Sequence, residues 1–391
     1  MIKVGIDRIA FYTSHYALDL STLAKARGVE PDKYVVGLGQ QKMSVPPPDE
    51  DIVTLAANAA QQILQHENLD AIEMVLFATE SGIDQSKAAG IYVHDLLGLP
   101  ARCRVVELKQ ACYAGTMALQ LSLPFLREHP NKKILLIASD IARYGLNTSG
   151  ESSQGAGAVA MLLSANPRIL AFESEYGVVT ENVMDFWRPN YSDIAFVEGK
   201  YSSKLYLNLL EKSFEQYRAA SQRGFTAHDY YCYHSPVPRL VEKAHQHLAK
   251  TQHPEKIAET MLMNQVHDSL LYGRQIGNSY TASLYIGLAG VLDFATSNIA
   301  GKRIGFYSYG SGCVAEYFSG VIQPGYEKFL ETKHHQSLLA ERISLDYSQY
   351  EMFYSYVYPK DGSQCRIEKN HTGKFRLAGI EDHKRIYEKV L

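Results

Sequence analysis

The chain has 391 residues, 46% of them hydrophobic, which is ample for a sizeable core. With 39 Lys and Arg against 42 Asp and Glu its net charge is −3 and no basic run gathers, which argues against a nucleic-acid partner. No apolar run nears the ~18 residues of a membrane span, residues 2–6 read as a strand rather than a leader, and five cysteines without CxxC spacing point away from zinc and disulfides toward a reducing cytoplasm.

Taken in order, the hydrophobic pattern predicts a strand over 4–12 and a short amphipathic helix over 18–27. A turn at Gly37-Leu38-Gly39-Gln40 and a proline stop at Pro46-Pro47-Pro48 follow. A helix over 51–64 has Asp49, Glu50 and Asp51 at its first turn, where the helix dipole favours acids. Residues 72–79 are a continuous apolar strand of the kind buried on both faces, ending at Glu80. After a helix over 86–97, a strand over 103–108 runs into Cys112, and a small, apolar run over 114–121 leaves it: strand, tight turn, buried helix. Strands over 133–138, 158–164 and 169–173 surround a Gly/Ser loop at 149–157. Residues 177–225 read as a polar, aromatic, irregular insertion. Beyond it the pattern resumes with a strand over 230–234, helices over 237–248 and 280–294, a strand over 303–309, a Gly310-Ser311-Gly312 turn and a strand over 314–321. From Tyr326 the chain reads as a peripheral helical appendage.

Alternating strands and helices predict an α/β layer fold with a mostly parallel sheet. There is also an internal echo. Lys133-Ile134-Leu135-Leu136-Ile137 leads through a loop into Gly155-Ala156-Gly157-Ala158-Val159, and Lys302-Arg303-Ile304-Gly305-Phe306 leads into Gly310-Ser311-Gly312-Cys313-Val314. Two similar halves packed together account for it. The expected division is an N-terminal half over 1–175, the insertion over 176–226, a C-terminal half over 227–325 and the appendage over 326–391.

Several residues in this frame suit chemistry. Cys112 near a helix N-terminus has unpaired backbone N–H groups that favour a thiolate and can hold an oxyanion, although a free cysteine is more often packing than chemistry. Glu80 ends a strand where α/β sites form, and partial burial raises a carboxyl pKa toward general-base use, although taken alone a solvated loop acid is the favoured reading. His234 ends a strand, Asn278 stands where it also caps the next helix, and Ser311 lies in a Gly-x-Gly turn. His245, His247, His253, His334 and His335 lack a metal-ligand pattern and read as surface residues. Gly155-x-Gly157 and Gly310-x-Gly312 lack the rest of a nucleotide fingerprint. Cysteine, histidine, asparagine and glutamate at element ends in one layered fold form a set that makes a thioester and takes a proton from carbon.

From Val4 to Val321 the sequence resembles the 3-hydroxy-3-methylglutaryl-CoA (HMG-CoA) synthases of the short bacterial type. The telling stretches are Ala78-Thr79-Glu80-Ser81, Ala111-Cys112-Tyr113-Ala114-Gly115-Thr116, Asp185-Phe186-Trp187-Arg188-Pro189, Tyr233-His234-Ser235-Pro236, Gly277-Asn278-Ser279-Tyr280-Thr281 and Phe306-Tyr307-Ser308-Tyr309-Gly310-Ser311-Gly312. The resemblance implies a thiolase-like fold of two βαβαβ-type halves in an α-β-α-β-α arrangement, and a homodimer. It implies acetyl-CoA and acetoacetyl-CoA as substrates, with no separate cofactor and no metal. Cys112 is then the acetylated nucleophile and Glu80 the base for the acetyl methyl. His234, with Asn278, polarises the acceptor, and the N–H groups of Cys112 and Ser311 hold an oxyanion. Asp140, Tyr144, Ser153 and Ser202 match positions that line the site or touch substrate. Arg239, where the family usually has lysine, and Lys243 share a helix face and match contacts to the CoA phosphates. The same motifs also resemble the β-branching synthases of polyketide assembly, whose acceptor is tethered to an acyl carrier protein. A catalytically silent thiolase-like subunit and a plain ketoacyl synthase are the competing classes. Intact Cys112, Glu80 and His234 count against the first, and Glu80 against the second.

Overall fold

The computed structural model describes residues 2–65, 67–252 and 257–390. Nine strands form the main sheet: β1 Val4–Tyr12, β2 Ile72–Ala78, β3 Arg104–Leu108, β4 Lys133–Ala142, β5 Gly155–Ala165, β6 Leu170–Thr180, β7 Tyr230–Tyr233, β8 Arg303–Gly310 and β9 Val314–Ile322. Their spatial order is β7-β8-β9-β6-β1-β5-β4-β2-β3. Read outward from the β1/β6 seam, β1-β5-β4-β2 on one side matches β6-β9-β8-β7 on the other; β3 has no counterpart. The two echoing sequence stretches are the β4/β5 and β8/β9 pairs at equivalent places.

The sheet is not mostly parallel. β2 pairs in parallel with β3 and β4, and β7 with β8, whereas β4/β5, β5/β1, β1/β6, β6/β9 and β9/β8 are antiparallel. A parallel pair needs a long crossover, and neither the β4–β5 loop nor the Ser311-Gly312-Cys313 turn supplies one. At the seam only Gly5↔Ala171 and Ile6↔Leu170 pair. Gly5 permits that approach, since a Cβ there would lie 2.0 Å from the Leu170 carbonyl oxygen.

Helix Ser283–Phe294 is buried on every side from Ser283 to Leu292, as a helix enclosed within the fold must be. Helix Ala114–Glu128 approaches its start: a Cβ on Gly115 would lie 3.3 Å from the Thr281 carbonyl and 3.4 Å from the Tyr285 ring. Helix Ile52–Leu64 is held at its start by a capping box, with Asp51 accepting from Val53 N and Thr54 N while Thr54 Oγ1 accepts from Asp51 N.

The stretch expected to be irregular contains helix Gly199–Ser221. Leu205, Leu209, Ser213 and Tyr217, with Tyr206, Leu210 and Phe214, fall at i,i+4 spacing and are buried. Each large apolar side chain so buried contributes about 1.5–3 kcal/mol. Gly177 on β6 admits this helix, because a Cβ there would meet the Ser213 carbonyl oxygen at 2.0 Å. The C-terminal segment is mixed rather than helical. Beside helices Thr332–Ala340 and Tyr347–Tyr354 it holds strand Ile343–Ser344, which pairs with Tyr16–Asp19, and a hairpin of Phe375–Glu381 with Lys384–Lys389. Its Arg376 joins buried Asp49 at 2.9 Å.

Two of the histidines expected at the surface are interior. His245 Nδ1 meets the Tyr233 hydroxyl at 2.9 Å, and His335 Nδ1 meets Asp293 at 2.7 Å while its Nε2 accepts from Phe11 N. His253 lies outside the described residues. All five cysteines are free, and no helix among the described residues is long and apolar enough to cross a membrane.

Candidate active site

β3 ends four residues before Cys112, and helix Ala114–Glu128 begins two residues after it. The turn between them passes through Ala111 at φ +43°, a left-handed conformation that a non-glycine residue adopts only where its surroundings demand it. Glu80 follows β2, the parallel neighbour of β3, so both side chains leave the carboxyl end of the sheet. The Cys112 thiol donates to Glu80 Oε1 at 3.0 Å.

Asp140 sets the turn that carries Glu80. Its Oδ1 accepts from Thr79 Oγ1 at 2.7 Å, Glu80 N at 2.9 Å and Ser81 N at 3.0 Å. Its Oδ2 accepts from Thr281 N at 3.0 Å and Thr281 Oγ1 at 2.5 Å. Five donors occupy this buried carboxylate, so it braces the site rather than presenting itself to a ligand, and it ties the Glu80 turn to the C-terminal half.

The electrostatics follow from desolvation. Withdrawal from water pushes Glu80 up to about 8; the nearby Asp140 charge adds to this, while the Cys112 hydrogen bond and Arg188 oppose it. Desolvation, then the Glu80 charge and hydrogen bond, push the Cys112 thiol well above its usual range. The expectation of a resting thiolate is therefore corrected: the helix N-terminus is outweighed, and the thiol keeps its proton and lends it to Glu80.

On the C-terminal half, Asn278 serves two purposes. Its Oδ1 accepts from Tyr280 N at 2.9 Å and Ser283 Oγ at 3.0 Å, which is the expected local cap, and its Nδ2 donates to the Tyr144 hydroxyl at 2.9 Å. Asn278 N also donates to Ser153 O at 3.1 Å, while the Ser153 hydroxyl turns back to Gly150 O. Burial and the charges of Cys112 and Glu80 raise the Tyr144 hydroxyl pKa, which places it in their field. Its ring meets those of Phe186 and Tyr280 edge-on, and Tyr280 sits at φ +45°.

His234 continues β7, with its N donating to Tyr307 O at 2.8 Å and its carbonyl accepting from the Tyr206 hydroxyl at 2.7 Å. Burial pushes its imidazole down to about 3, so the ring is neutral, and among the described residues its Nδ1 finds no hydrogen-bond partner. The neighbouring strand, β8, ends at Gly310, which abuts the Cys112 turn: a Cβ there would lie 2.5 Å from Gln110 O and 2.7 Å from Tyr113 N. Ser311 O accepts from Gln110 Nε2 at 3.1 Å. The Ser202 hydroxyl donates to buried Asp185 at 3.0 Å, and Asp185 also takes Gly312 N at 2.9 Å, so Ser202 reaches the site only through that turn. On helix Pro238–Gln252, Arg239 is already paired with Glu242, which also takes Arg274 at 2.7 Å, while Lys243 is exposed.

Four contributors carried no assigned role in the sequence: Arg188, which donates to the Glu80 carbonyl; Asp185; Tyr280; and Gln110. All but Gln110 lie in stretches quoted above for the resemblance, and Gln110 lies two residues from Cys112. Among the described residues no group of three or more His, Cys, Asp and Glu stands ready to hold a metal ion.

Comparison with known proteins agrees across the chain. The family profile for the hydroxymethylglutaryl-coenzyme A synthase N terminal matches residues 2–168, and that for the C terminal matches 170–254 and 248–388. The chain is 39% identical over 386 residues to the hydroxymethylglutaryl-CoA synthase of Enterococcus faecalis, covering 99% of this chain and 100% of that one. It is 33% identical to the polyketide biosynthesis 3-hydroxy-3-methylglutaryl-ACP synthase of Bacillus subtilis, covering 90% and 88%. A crystal structure of an HMG-CoA synthase complexed with CoA superposes with a TM-score of 0.94 at 40% identity, covering 99% and 100%.

Proposed function

The chain belongs to the hydroxymethylglutaryl-CoA synthase family, and from that premise we propose that it condenses acetyl-CoA with acetoacetyl-CoA and water to give HMG-CoA and CoA. The observation that carries the reading is the 3.0 Å contact between the Cys112 thiol and Glu80, a nucleophile and a base on one reacting centre. Cys112 attacks the acetyl thioester and releases CoA, its proton leaving with the thiol of CoA. Glu80, held by Asp140, then removes a proton from the methyl group of the acetyl-cysteine. The carbanion adds to the ketone of acetoacetyl-CoA, which neutral His234 and the Asn278–Tyr144 pair hold and polarise, and the proton that Glu80 took passes to the new alkoxide to give the 3-hydroxyl. The N–H groups of Cys112 and Ser311 take the thioester oxyanion. Water finally cleaves the cysteine thioester, returning the thiol and leaving a free carboxylate on the product. A ketoacyl synthase that decarboxylates its donor needs no base for a methyl C–H; this reaction does, and Glu80 fills that place.

Exposed Lys243, with Arg239 beside it, meets the CoA phosphates in this reading, and Ser153 and Ser202 line the approach. No cofactor beyond the CoA thioesters is required. The enzyme acts in the cytoplasm, in the mevalonate route to isoprenoids, as a homodimer. Support for the dimer comes from exposed Val106 on the edge strand β3, exposed Leu121, and a groove where exposed Tyr176 and Val178 meet Met117 and Pro124.

The test is incubation with acetyl-CoA and acetoacetyl-CoA beside acetyl-CoA and acetoacetyl-carrier protein, with products identified by mass. HMG-CoA from the first mixture supports the proposal. Product from the carrier-protein mixture alone assigns the chain to β-branching polyketide chemistry instead.

A further inference from the structure

The loop joining β4 to β5 carries Tyr144 at one end and Ser153 near the other, and its shape is set from far along the chain. Tyr144 N donates to Gln154 Oε1 at 2.8 Å, and Gln154 Nε2 donates to the Tyr350 hydroxyl at 3.0 Å. That hydroxyl donates in turn to Glu151 Oε1 at 3.1 Å. Buried Glu151 also receives the Arg27 guanidinium through two bonds of 2.7 Å and Asn147 N at 3.0 Å. A second tyrosine repeats the grip: the Tyr354 hydroxyl accepts from Gly145 N at 3.0 Å, and its carbonyl from Arg143 Nη1 at 3.1 Å. Tyr350 and Tyr354 are four residues apart on helix Tyr347–Tyr354, hence on one face, and the helix is fixed at its start by a capping box between Asp346 and Gln349.

We propose that Tyr350 is a positioning residue for the catalytic site: by bridging Glu151 and Gln154 it fixes the backbone at Tyr144, and through it the Tyr144–Asn278 contact that holds the acceptor. The Gln154 amide is the pivot of this linkage. A buried amide must point its oxygen at a donor and its nitrogen at an acceptor. Tyr350 is the acceptor that keeps the nitrogen away from Tyr144 N–H; being committed as a donor to Glu151, its hydroxyl offers Gln154 only a lone pair. Without the hydroxyl the amide nitrogen is orphaned, and rotation of the amide sets N–H against N–H at Tyr144. What the Tyr144–Asn278 contact does for substrate rests on the HMG-CoA synthase reading; the grip on the loop does not.

The test is Tyr350→Phe, which removes one oxygen and keeps the ring. Amide hydrogen exchange across residues 144–154 is expected to quicken by about tenfold or more, the loss of the two buried hydrogen bonds that the hydroxyl makes. KM for acetoacetyl-CoA should rise by about tenfold or more, as a displaced contact near the chemistry does, while acetylation of Cys112 by acetyl-CoA and the melting temperature stay near wild type. Tyr387→Phe, which loses a 2.7 Å bond to Asp51 in the same C-terminal segment, is the control and should change neither readout. In a Tyr144→Phe background the kinetic effect of Tyr350→Phe should largely vanish, because both act through one contact. Unchanged exchange over 144–154, or an equal kinetic loss in Tyr387→Phe, overturns the proposal. If wild type makes no HMG-CoA, the functional reading fails, and the exchange measurement still decides whether Tyr350 holds the loop.

Discussion

Desolvation and Glu80 keep Cys112 from ionising, whereas the hydrogen bond the thiol donates across 3.0 Å favours the Glu80 carboxylate against the desolvation that raises its pKa. Anionic Glu80 disfavours the thiolate, so in the proposed reaction it is assigned to the second half-reaction and not to activation of the cysteine. Glu80→Gln should therefore acetylate Cys112 at close to the wild-type rate and accumulate acetyl-enzyme, visible by intact mass. Condensation should fall by about 10²–10⁴-fold, the usual loss on removing a general base. A Glu80→Gln protein that folds but does not acetylate would move Glu80 to the first step. The pH dependence has a definite sign. The base is the carboxylate and its folded pKa is about 8, so kcat/KM for condensation should climb as pH rises toward 8 and level off above it. His234, pushed down to about 3, stays neutral across this range and adds no second limb. A bell with a limb near the ordinary histidine value would show a charged His234 instead.

At the scale of elements, helix Pro238–Gln252 presents two cations in unequal states. Arg239 is neutralised by Glu242, whereas Lys243 is exposed on the same face. Lys243→Ala should raise KM for both CoA substrates several-fold, with an effect that fades at high salt as screening removes the phosphate contact. Arg239→Ala should change KM less. Equal KM in wild type and Lys243→Ala would place the lysine on a solvated face. Elements also show what a sequence carries and what it does not. Glu80 was legible because it follows a continuous apolar strand, Cys112 because a strand runs toward it and a small, apolar helix leaves it, and the two halves because the β4/β5 and β8/β9 stretches repeat. Helix Gly199–Ser221 was not, since its stripe of Leu205, Tyr206, Leu209, Leu210, Phe214 and Tyr217 is interleaved with charged and polar residues and no side-chain cap marks its start. The direction of β5 was hidden because strand pairing is a tertiary choice that the Gly/Ser loop does not declare. His245 and His335 looked exposed because the partners that make their burial tolerable, Tyr233 and Asp293, are distant in sequence. Arg188 reaches the Glu80 carbonyl from an irregular segment, and nothing local marks it.

For the whole molecule, the exposed apolar groove beside helix Ala114–Glu128 bears on assembly. Changing Leu121 and Tyr176 together to Glu should convert a dimer to a single chain by light scattering, with the isolated chain still folded by circular dichroism. A wild-type protein that is already monomeric at micromolar concentration would remove the dimer from the proposal. The seam between the halves has a further consequence. Only two residue pairs join β1 to β6, and the Asp140 carboxylate takes donors from Thr79–Ser81 on one side and from Thr281 on the other. A chain emerging from the ribosome completes its first half long before Thr281 exists. Until then Asp140, which holds the Glu80 turn through its Oδ1, lacks the two Thr281 donors that fix its Oδ2. Competence for acylation is therefore a late event in biogenesis, a stamp that only a fully assembled chain can receive. In refolding from denaturant, uptake of labelled acetyl at Cys112 should lag behind the recovery of secondary structure, which makes the covalent label a reporter of native docking between the halves.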